Sequence, residues 1–249
     1  MNNTNSNLFS NNDPGIQFCR DIKVATIKNT QYNLVFEQDI GVYLYDTNWK
    51  YVSTFNFPSI LYGIVANGYY YFSTHYGTYG LVKTSVDSPN IVNYYGMNFA
   101  GVYRGLFYDK TGSRVIAAGY GTRSVDLFDL NLNLNRSITF PDFSPHSVTI
   151  YESKIYAFFW ENGMVALISN NGTVSKYFPT LCSHGCSINF DSFGYCAVSC
   201  CVNGALHLYD ANMKYTNYSL TFANDVEDIA IDTNDRLAMC LHYDAAVYY

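Results

Sequence analysis

The sequence predicts an all-β fold, a six-bladed β-propeller with four antiparallel strands in each blade. Three observations indicate it: a composition that favours strands, a repeat with a period of about 40 residues, and the lack of a helical pattern of useful length. Aromatic residues make up 18% of the 249 residues, and aromatic side chains suit the half-buried surface of a sheet. The apolar fraction of 49% is enough for a sizeable core.

The repeat is an alternating apolar strand followed by a turn rich in Asp and Asn. Successive copies lie about 40 residues apart, a spacing typical of propeller blades that contain several short strands. We interpret each copy as the third strand of a blade. The copies begin at Val42, Leu81, Val125, Val165, Leu206 and Val247, the second being weaker and the last truncated.

The ends of the chain suggest how the ring closes. Residues 1–14 are predicted to be a flexible Asn-rich tail, and residues 15–249 a single propeller. The segment Gly15–Phe18 aligns with Ser219–Phe222, which occupies the position of a fourth strand. Because the last blade ends after its third strand, we expect the N-terminal segment to supply its outer strand and so to protect the sheet edge.

Two segments carry a resemblance to a known family. DIAIDTNDRLAM (228–239) and GLFYDKTGSRVIAAGYGTRSVDLFDLN (105–131) resemble blades of NHL-repeat and related six-bladed propellers. The resemblance covers about residues 15–249 and implies a recognition role at one face of the ring. WD-type blades are not indicated, because the Gly-His and Trp-Asp pair of such blades is absent.

A polar mouth is expected where the inner strands begin. An aromatic residue ends each repeat unit, and the next inner strand starts about five residues later in most units, which aligns six positions. Their types differ from blade to blade, which favours a ligand pocket, with a water-filled channel as the alternative. The aligned positions are Lys23, Tyr62, Arg104, His146, Cys186 and Glu227. An outer circle is predicted at Gln38, His75, Arg123, Glu161, Asn203 and His242.

Metal binding is the main alternative use of such a mouth. Six-bladed hydrolases of the regucalcin-like and paraoxonase-like kinds hold calcium there with carboxylate and amide oxygens. Glu227 and Asp228 are the candidate ligands in this chain, but Lys23 and Arg104 would oppose a further cation. We therefore expect no cofactor, with calcium as the open alternative.

The cysteines give a second, weaker metal candidate. Cys182, His184 and Cys186 form C-x-H-x-C, which lacks a fourth zinc ligand unless His146 supplies it. We interpret them as ordinary loop residues. The seven cysteines are an odd number without the spacing of a small disulfide scaffold, so free core thiols in a reducing compartment, and hence a cytoplasmic location, are expected.

The net charge of −6 and the lack of a Lys/Arg cluster exclude the usual nucleic-acid and anionic-membrane footprints. No apolar run reaches the roughly 20 residues that span a bilayer. We expect a monomer that binds a protein segment or a small polar ligand.

Two functions are compatible with these features. The first is a non-enzymatic recognition scaffold, whose mouth binds a carboxylate through Lys23 and Arg104. The alternative is a metal-dependent hydrolase, lactonase or lyase of the regucalcin-like kind, with Glu227 and Asp228 as ligands and His146 as general base. No G-x-S-x-G nucleophile motif occurs.

Overall fold

The structure is a computed structural model, and it describes residues 19–38, 40–57, 59–74, 80–96, 102–232, 235–241 and 244–248, the last range as backbone only. These residues form an all-β propeller of antiparallel sheets, each built from consecutive strands. In the described part of the chain, five sheets have four strands and one sheet has three. Within these ranges no helix is long and apolar enough to cross a bilayer.

The strands of the first three sheets follow the chain without crossovers. The first sheet contains β1 (Cys19–Ile27), β2 (Thr30–Glu37), β3 (Gly41–Tyr45) and β4 (Tyr51–Asn56). The second contains β5 (Ile60–Ala66), β6 (Tyr69–Thr74), β7 (Leu81–Ser85) and β8 (Ser88–Tyr95). The third contains β9 (Tyr103–Asp109), β10 (Arg114–Gly119), β11 (Ser124–Asp129) and β12 (Leu134–Thr139).

The remaining three sheets repeat the same order. The fourth contains β13 (Pro145–Tyr151), β14 (Lys154–Phe159), β15 (Met164–Ile168) and β16 (Val174–Pro179). The fifth contains β17 (Gly185–Phe190), β18 (Cys196–Cys200), β19 (Ala205–Tyr209) and β20 (Tyr215–Thr221). The sixth contains β21 (Val226–Ile231), β22 (Leu237–Leu241) and β23 (Asp244–Tyr248).

The first strands of the sheets contact one another in a closed ring, in the order β1, β5, β9, β13, β17, β21 and back to β1. The repeated segments predicted to be third strands lie on β3, β7, β11, β15, β19 and β23. That part of the prediction is confirmed. The segment Gly15–Phe18, predicted to complete the last blade, lies outside the described residues.

Burial falls from the second strand of a sheet to the fourth. The second strands β10 and β14 are almost wholly buried, because neighbouring sheets pack against both of their faces. The outer strands β12 and β20 are mostly exposed. Tyrosines on the second and third strands are buried, as Tyr43, Tyr45, Tyr156 and Tyr209 are each 4% exposed or less.

The Asp of the repeated turn closes the hairpin between third and fourth strands. One carboxylate oxygen of Asp46, Asp129 and Asp210 accepts hydrogen bonds from the backbone N–H groups two and four residues later, at 2.8–2.9 Å. Such side-chain-to-backbone bonds are what favour Asp in turns. The recurrent Asp therefore has a structural role in these three turns.

The cysteines correct one sequence-based expectation. Three disulfides join Cys19 to Cys240, Cys182 to Cys200, and Cys186 to Cys201, and Cys196 is a buried free thiol. The Cα–Cα distances of 5.3–5.5 Å lie in the usual range for disulfides. The prediction of free core thiols was wrong for six of the seven cysteines. The pairing of β17 with β18 and the packing of β1 against β22 bring together residues whose spacing along the chain suggests no disulfide. The case for a reducing compartment is weakened accordingly.

Candidate functional site

The inner strands share a backbone irregularity where each begins. In all six first strands the pairing with the second strand skips one residue near the start, as a β-bulge does. Bulges are common where a strand aims a side chain at a functional site. The skipped residues are Arg20, Leu61, Arg104, His146, Cys186 and Glu227.

Four of the six predicted mouth positions coincide with this set. In the first two sheets the sequence alignment was wrong: Lys23 lies three residues beyond the bulge and Tyr62 one residue beyond it. Arg20 and Leu61 occupy the equivalent positions. The distance from the preceding aromatic residue misled the alignment, because the bulge is fixed by backbone pairing and not by the length of the join.

A central cavity of about 190 Å³ brings most of the predicted residues together. Its lining includes Lys23, Tyr62, Arg104, His146 and Cys186. Glu227 is not among its lining residues. Instead, its carboxylate lies 3.5 Å from the guanidinium of Arg20.

Arg104 is the half-buried cation of this cavity. Its Nη1 lies 2.9 Å from Nε2 of His146, to which it donates a hydrogen bond. Its Cζ lies 4.4 Å from the ring centre of Tyr120 and 5.9 Å from that of Trp160, both within cation–π range. Among the described residues, no carboxylate lies within ion-pair distance of this guanidinium.

His146 is buried and neutral. Its Nδ1–H donates to the carbonyl oxygen of Cys186 at 2.9 Å, which leaves Nε2 as the acceptor for Arg104. Burial, assisted by the positive charge of Arg104, lowers the pKa of His146 to about 3. The imidazole therefore positions Arg104 without adding charge to the site.

Aromatic rings surround this pair. Trp160 stacks on His146 with ring centres 5.2 Å apart, and His184 meets Trp160 edge-on at 5.2 Å. Tyr62 and Tyr120 approach His146 edge-on at 6.3 and 6.1 Å. We call Tyr62, Arg104, Tyr120, His146, Trp160 and His184 the arginine cluster.

A second cluster in the same cavity is internally neutralised. Nζ of Lys23 contacts Asp21 and lies 2.8 Å from Oδ2 of Asp228. Asp21 accepts a hydrogen bond from the backbone N–H of Gly63 at 2.7 Å, and Asp228 accepts one from that of Ile22 at 3.0 Å. We call Asp21, Lys23 and Asp228 the lysine cluster, and it joins the sixth, first and second sheets.

The pKa directions in the lysine cluster follow from burial and from the lysine. Burial raises the pKa of Asp21 well above its ordinary value, although Lys23 acts in the opposite direction. Burial also disfavours the charged form of Asp228, but Lys23 and hydrogen bonds outweigh it and lower the pKa of that carboxyl. Burial lowers the pKa of Lys23 less than the two carboxylates raise it. The ammonium of Lys23 is thus paired with the protein's own acids.

The described residues of the predicted outer circle make separate contacts and do not form one site. Gln38 accepts a hydrogen bond from Arg20 at 3.3 Å. Arg123 is exposed and donates to the carbonyl of Pro141 at 2.8 Å, while exposed Glu161 accepts from the backbone N–H of Ser144 at 2.8 Å. Asn203 is exposed. His75 and His242 lie outside the described residues.

The equivalent positions next to the second strands were misassigned in three sheets. Gln38 directly follows β2, as His75 follows β6 in the chain. By the same rule the third, fourth and fifth sheets contribute Tyr120, Trp160 and Cys201, and not Arg123, Glu161 and Asn203. Choosing the first residue after each second strand would thus have identified Tyr120 and Trp160, the two aromatic neighbours of Arg104.

Possible metal ligands fall into two kinds. The oxygens of Asp228 and Glu227 already contact Lys23 and Arg20, so a calcium ion would compete with two cationic side chains. Two groups of softer ligands have their ligand atoms within 4.8 Å of one another: His146 with Cys186 and Cys201, and His207 with Cys182 and Cys200. All four sulfurs are engaged in disulfides, which cannot bind metal as thiolates do.

Sequence comparison identifies no relative, since no family model and no curated protein matches the chain. Solved structures match at the level of the fold. The β-propeller domain of Cps50 (Swd1) from Myceliophteria thermophila superposes with a TM-score of 0.65 at 11% identity, covering 92% of this chain and 81% of that one. The computationally designed Ika8 protein gives a TM-score of 0.58 at 11% identity, covering 92% of this chain and 70% of that one. At such identities the likeness concerns the fold alone: the chain is similar in fold to the Cps50 (Swd1) β-propeller domain and to this designed protein.

Proposed function

We propose that the chain is a non-enzymatic recognition propeller that binds a carboxylate-bearing segment of a partner protein at the arginine cluster. One observation carries the proposal. The guanidinium of Arg104 is half-buried and lies between the rings of Tyr120 and Trp160. No carboxylate of the described residues forms an ion pair with it. A partly desolvated cation without a counter-ion is suited to an incoming anion, and the planar guanidinium matches a carboxylate in particular.

The partners of Arg104 support the same ligand class. His146 is neutral, so it holds the guanidinium without compensating its charge. The surrounding rings provide apolar contact for the carbon atoms that bear the carboxylate, and aromatic side chains are typical anchors of binding surfaces. A polyanionic ligand is disfavoured, because the chain carries a net charge of −6.

The size of the cavity favours a single side chain or chain end as the inserted group. Its volume of about 190 Å³ is below that of pockets that enclose drug-sized ligands. The rest of a bound segment would then lie over the face of the ring. A protein segment is therefore the ligand we favour over a free small molecule.

The blade architecture belongs to the same proposal. We propose that the three-stranded sixth sheet is the last of six blades and that Gly15–Phe18 adds its outer strand. The closed ring of first strands and the disulfide from Cys19 on β1 to Cys240 on β22 support a seam at this place. The NHL-like resemblance stays a prediction at the level of sequence pattern.

The hydrolase alternative is not favoured by the geometry. Its general base, His146, has a pKa lowered to about 3 and uses its free lone pair to hold Arg104. Its metal ligands, Glu227 and Asp228, contact Arg20 and Lys23. The proposal therefore assigns these residues to structure and positioning.

The experiment compares matched probes by isothermal titration. Acetyl-glutamate-amide and a longer glutamate peptide are titrated beside their glutamine counterparts, with free glutarate as the small-molecule arm. We expect the glutamate peptides to bind and the glutamine peptides to bind at least about tenfold more weakly, as for the loss of a charge-assisted hydrogen bond. Glutarate binding as tightly as the longer peptide would point to a small carboxylate as ligand instead.

Two arginine variants make the test specific to the site. Arg104→Ala should abolish the preference for glutamate, whereas Arg123→Ala should keep it, because Arg123 is exposed and lies outside the cavity lining. Arg104→Lys should bind with intermediate strength, since an ammonium lacks the planar fork. Unchanged affinity in Arg104→Ala would remove the arginine cluster from the binding site.

A further inference from the structure

We propose that the disulfides of the fifth sheet control the arginine cluster, so that binding at the mouth depends on the redox state of Cys182, Cys186, Cys200 and Cys201. This inference rests on the proposed function and adds its regulation. It starts from an unusual arrangement of sulfurs. Cys200 and Cys201 are consecutive residues at the end of β18, and they are bonded to Cys182 and Cys186, which flank one short loop.

Residues 182–186, which we call the stapled loop, are thereby fixed at both ends to adjacent residues. The Cα–Cα distances across the two bonds are 5.3 and 5.4 Å. Two closures only 18 and 15 residues long leave the loop little conformational freedom. The stapled loop is therefore held much more firmly than a surface connection of its length.

The stapled loop supplies two groups to the arginine cluster. The ring of His184 lies edge-on against Trp160 with centres 5.2 Å apart. The carbonyl of Cys186 accepts the hydrogen bond from Nδ1 of His146 at 2.9 Å, which fixes the tautomer that faces Arg104. Two of the three neighbours of the guanidinium, Trp160 and His146, thus contact this loop, whereas Tyr120 does not depend on it.

Reduction would release the loop while leaving the sheet paired. In exchange with a dithiol reductant, the Cys186–Cys201 bond breaks, each sulfur gains one electron and one proton, and the reductant closes into its own disulfide. The Cys182–Cys200 bond reacts in the same way. The remaining ties include hydrogen bonds from the Cys201 N–H to the His184 carbonyl at 3.2 Å and from the Gly185 N–H to the Trp160 carbonyl at 3.3 Å.

The accessibility of the bonds sets how the exchange proceeds. All four half-cystines are 4% exposed or less, so a reductant reaches them only when the loop opens locally. Their chain neighbours Leu181 and Val202 are 56% and 58% exposed, which places the loop at the surface where such opening is possible. We therefore expect slow reduction, with a lower affinity in the reduced form because binding must then order the loop.

The test titrates the glutamate peptide into oxidised protein, into protein treated with a dithiol, and into treated protein that has been reoxidised. EDTA is present throughout, because the reduced thiols lie close enough to His146 and His207 to bind a metal ion together with them. We expect the affinity to fall at least about tenfold on reduction and to return on reoxidation. The variant Cys186→Ser with Cys201→Ser should show the weaker affinity without treatment.

The matched control removes the third disulfide, which lies elsewhere. Cys19→Ser with Cys240→Ser should bind as the wild type does when oxidised and lose affinity on reduction as the wild type does. Equal loss in the two untreated double variants would overturn the proposal, since it would indicate a general effect of lost stability. Circular dichroism establishes that each variant is folded.

A readout without ligand separates this inference from the proposed function. In a Trp49→Phe background, Trp160 is the remaining tryptophan, and reduction should change its emission because His184 leaves its ring. Unchanged emission together with unchanged affinity would overturn the redox control while leaving carboxylate binding intact. Oxidised protein that changes its emission on reduction but binds no glutamate peptide would instead overturn the proposed function alone.

Discussion

Lys23 and Arg104 line the same central cavity, yet their charges are satisfied in opposite ways. Lys23 contacts two buried carboxylates contributed by the first and sixth sheets. Arg104 is surrounded by rings and a neutral imidazole. A buried ion pair that the chain supplies for itself holds the fold together, whereas a cation left without its counter-ion is available to a ligand. The type of residue did not distinguish the two cases; their neighbours did.

The largest expected effect on stability comes from a variant that breaks the lysine cluster. Asp228→Ala leaves Lys23 with an incomplete set of partners and removes the acceptor for the Ile22 N–H. We expect the free energy of unfolding to fall by about 3 kcal/mol, at the low end for a buried pair because the Lys23 side chain is 22% exposed. Urea denaturation measures the change.

An exposed ion pair provides the control for that variant. Asp87 pairs with Lys28, and their side chains are 61% and 67% exposed. Asp87→Ala should change the free energy of unfolding by no more than about 0.5 kcal/mol. A similar loss in both variants would mean that the lysine cluster has no special role in the ring.

The next effect is a pH dependence that separates the two clusters. The pKa of His146 is lowered to about 3 from 6.5, so between these values the unfolded chain binds more protons and stability falls as the pH falls. Asp21 acts in the opposite sense, because its raised pKa favours the protonated folded state as the pH falls. The difference between wild type and His146→Gln isolates the histidine.

We expect that difference to change by about 2 kcal/mol between pH 7 and pH 5, the wild type losing more stability than the variant. Denaturation midpoints measured at several pH values test it. Parallel curves for the two proteins would show that His146 is not the buried neutral group described above. Asp21→Asn should remove the opposing contribution of Asp21 to the pH dependence of the free energy of unfolding.

The smallest expected effect concerns the arginine cluster itself. Arg104→Ala should lower the free energy of unfolding by about 1 kcal/mol, because it removes the hydrogen bond to His146 and partly exposed cation–π contacts but no ion pair among the described residues. Thermal unfolding of this variant beside Asp228→Ala gives the direct comparison. A loss as large as that of Asp228→Ala would make Arg104 a structural residue and would weaken the proposed binding role.

Much of the fold could be predicted because the repeat is carried by local chemistry. The Asp of the turns after β3, β11 and β19 accepts bonds from its own neighbours, so its spacing appears directly in the sequence. Positions at the mouth were harder. A β-bulge shifts the register by one residue without a distinctive residue type, which explains why Tyr62 was placed where Leu61 lies.

The features that escaped prediction depend on contacts between sheets. Lys23 was expected to be available to a ligand, but Asp21 and Asp228 reach it, the latter from the far end of the chain. The disulfide between Cys19 and Cys240 escaped for the same reason, since it joins two sheets and its cysteines are 221 positions apart in the sequence. Tyr120 and Trp160 were within reach of sequence reasoning, because each directly follows a second strand.

The disulfide between Cys19 and Cys240 makes most of this chain a covalent circle. Its two cysteines are separated by 221 positions in the sequence, and the chain between them includes all the strand connections from β1 to β22. A single proteolytic cut in any of those connections would therefore open the circle without releasing a fragment. The two new ends would still be held by their sheets and by the bond at the seam. Loop tips of this propeller are accordingly places where new termini, and with them a rearranged chain order, should be tolerated.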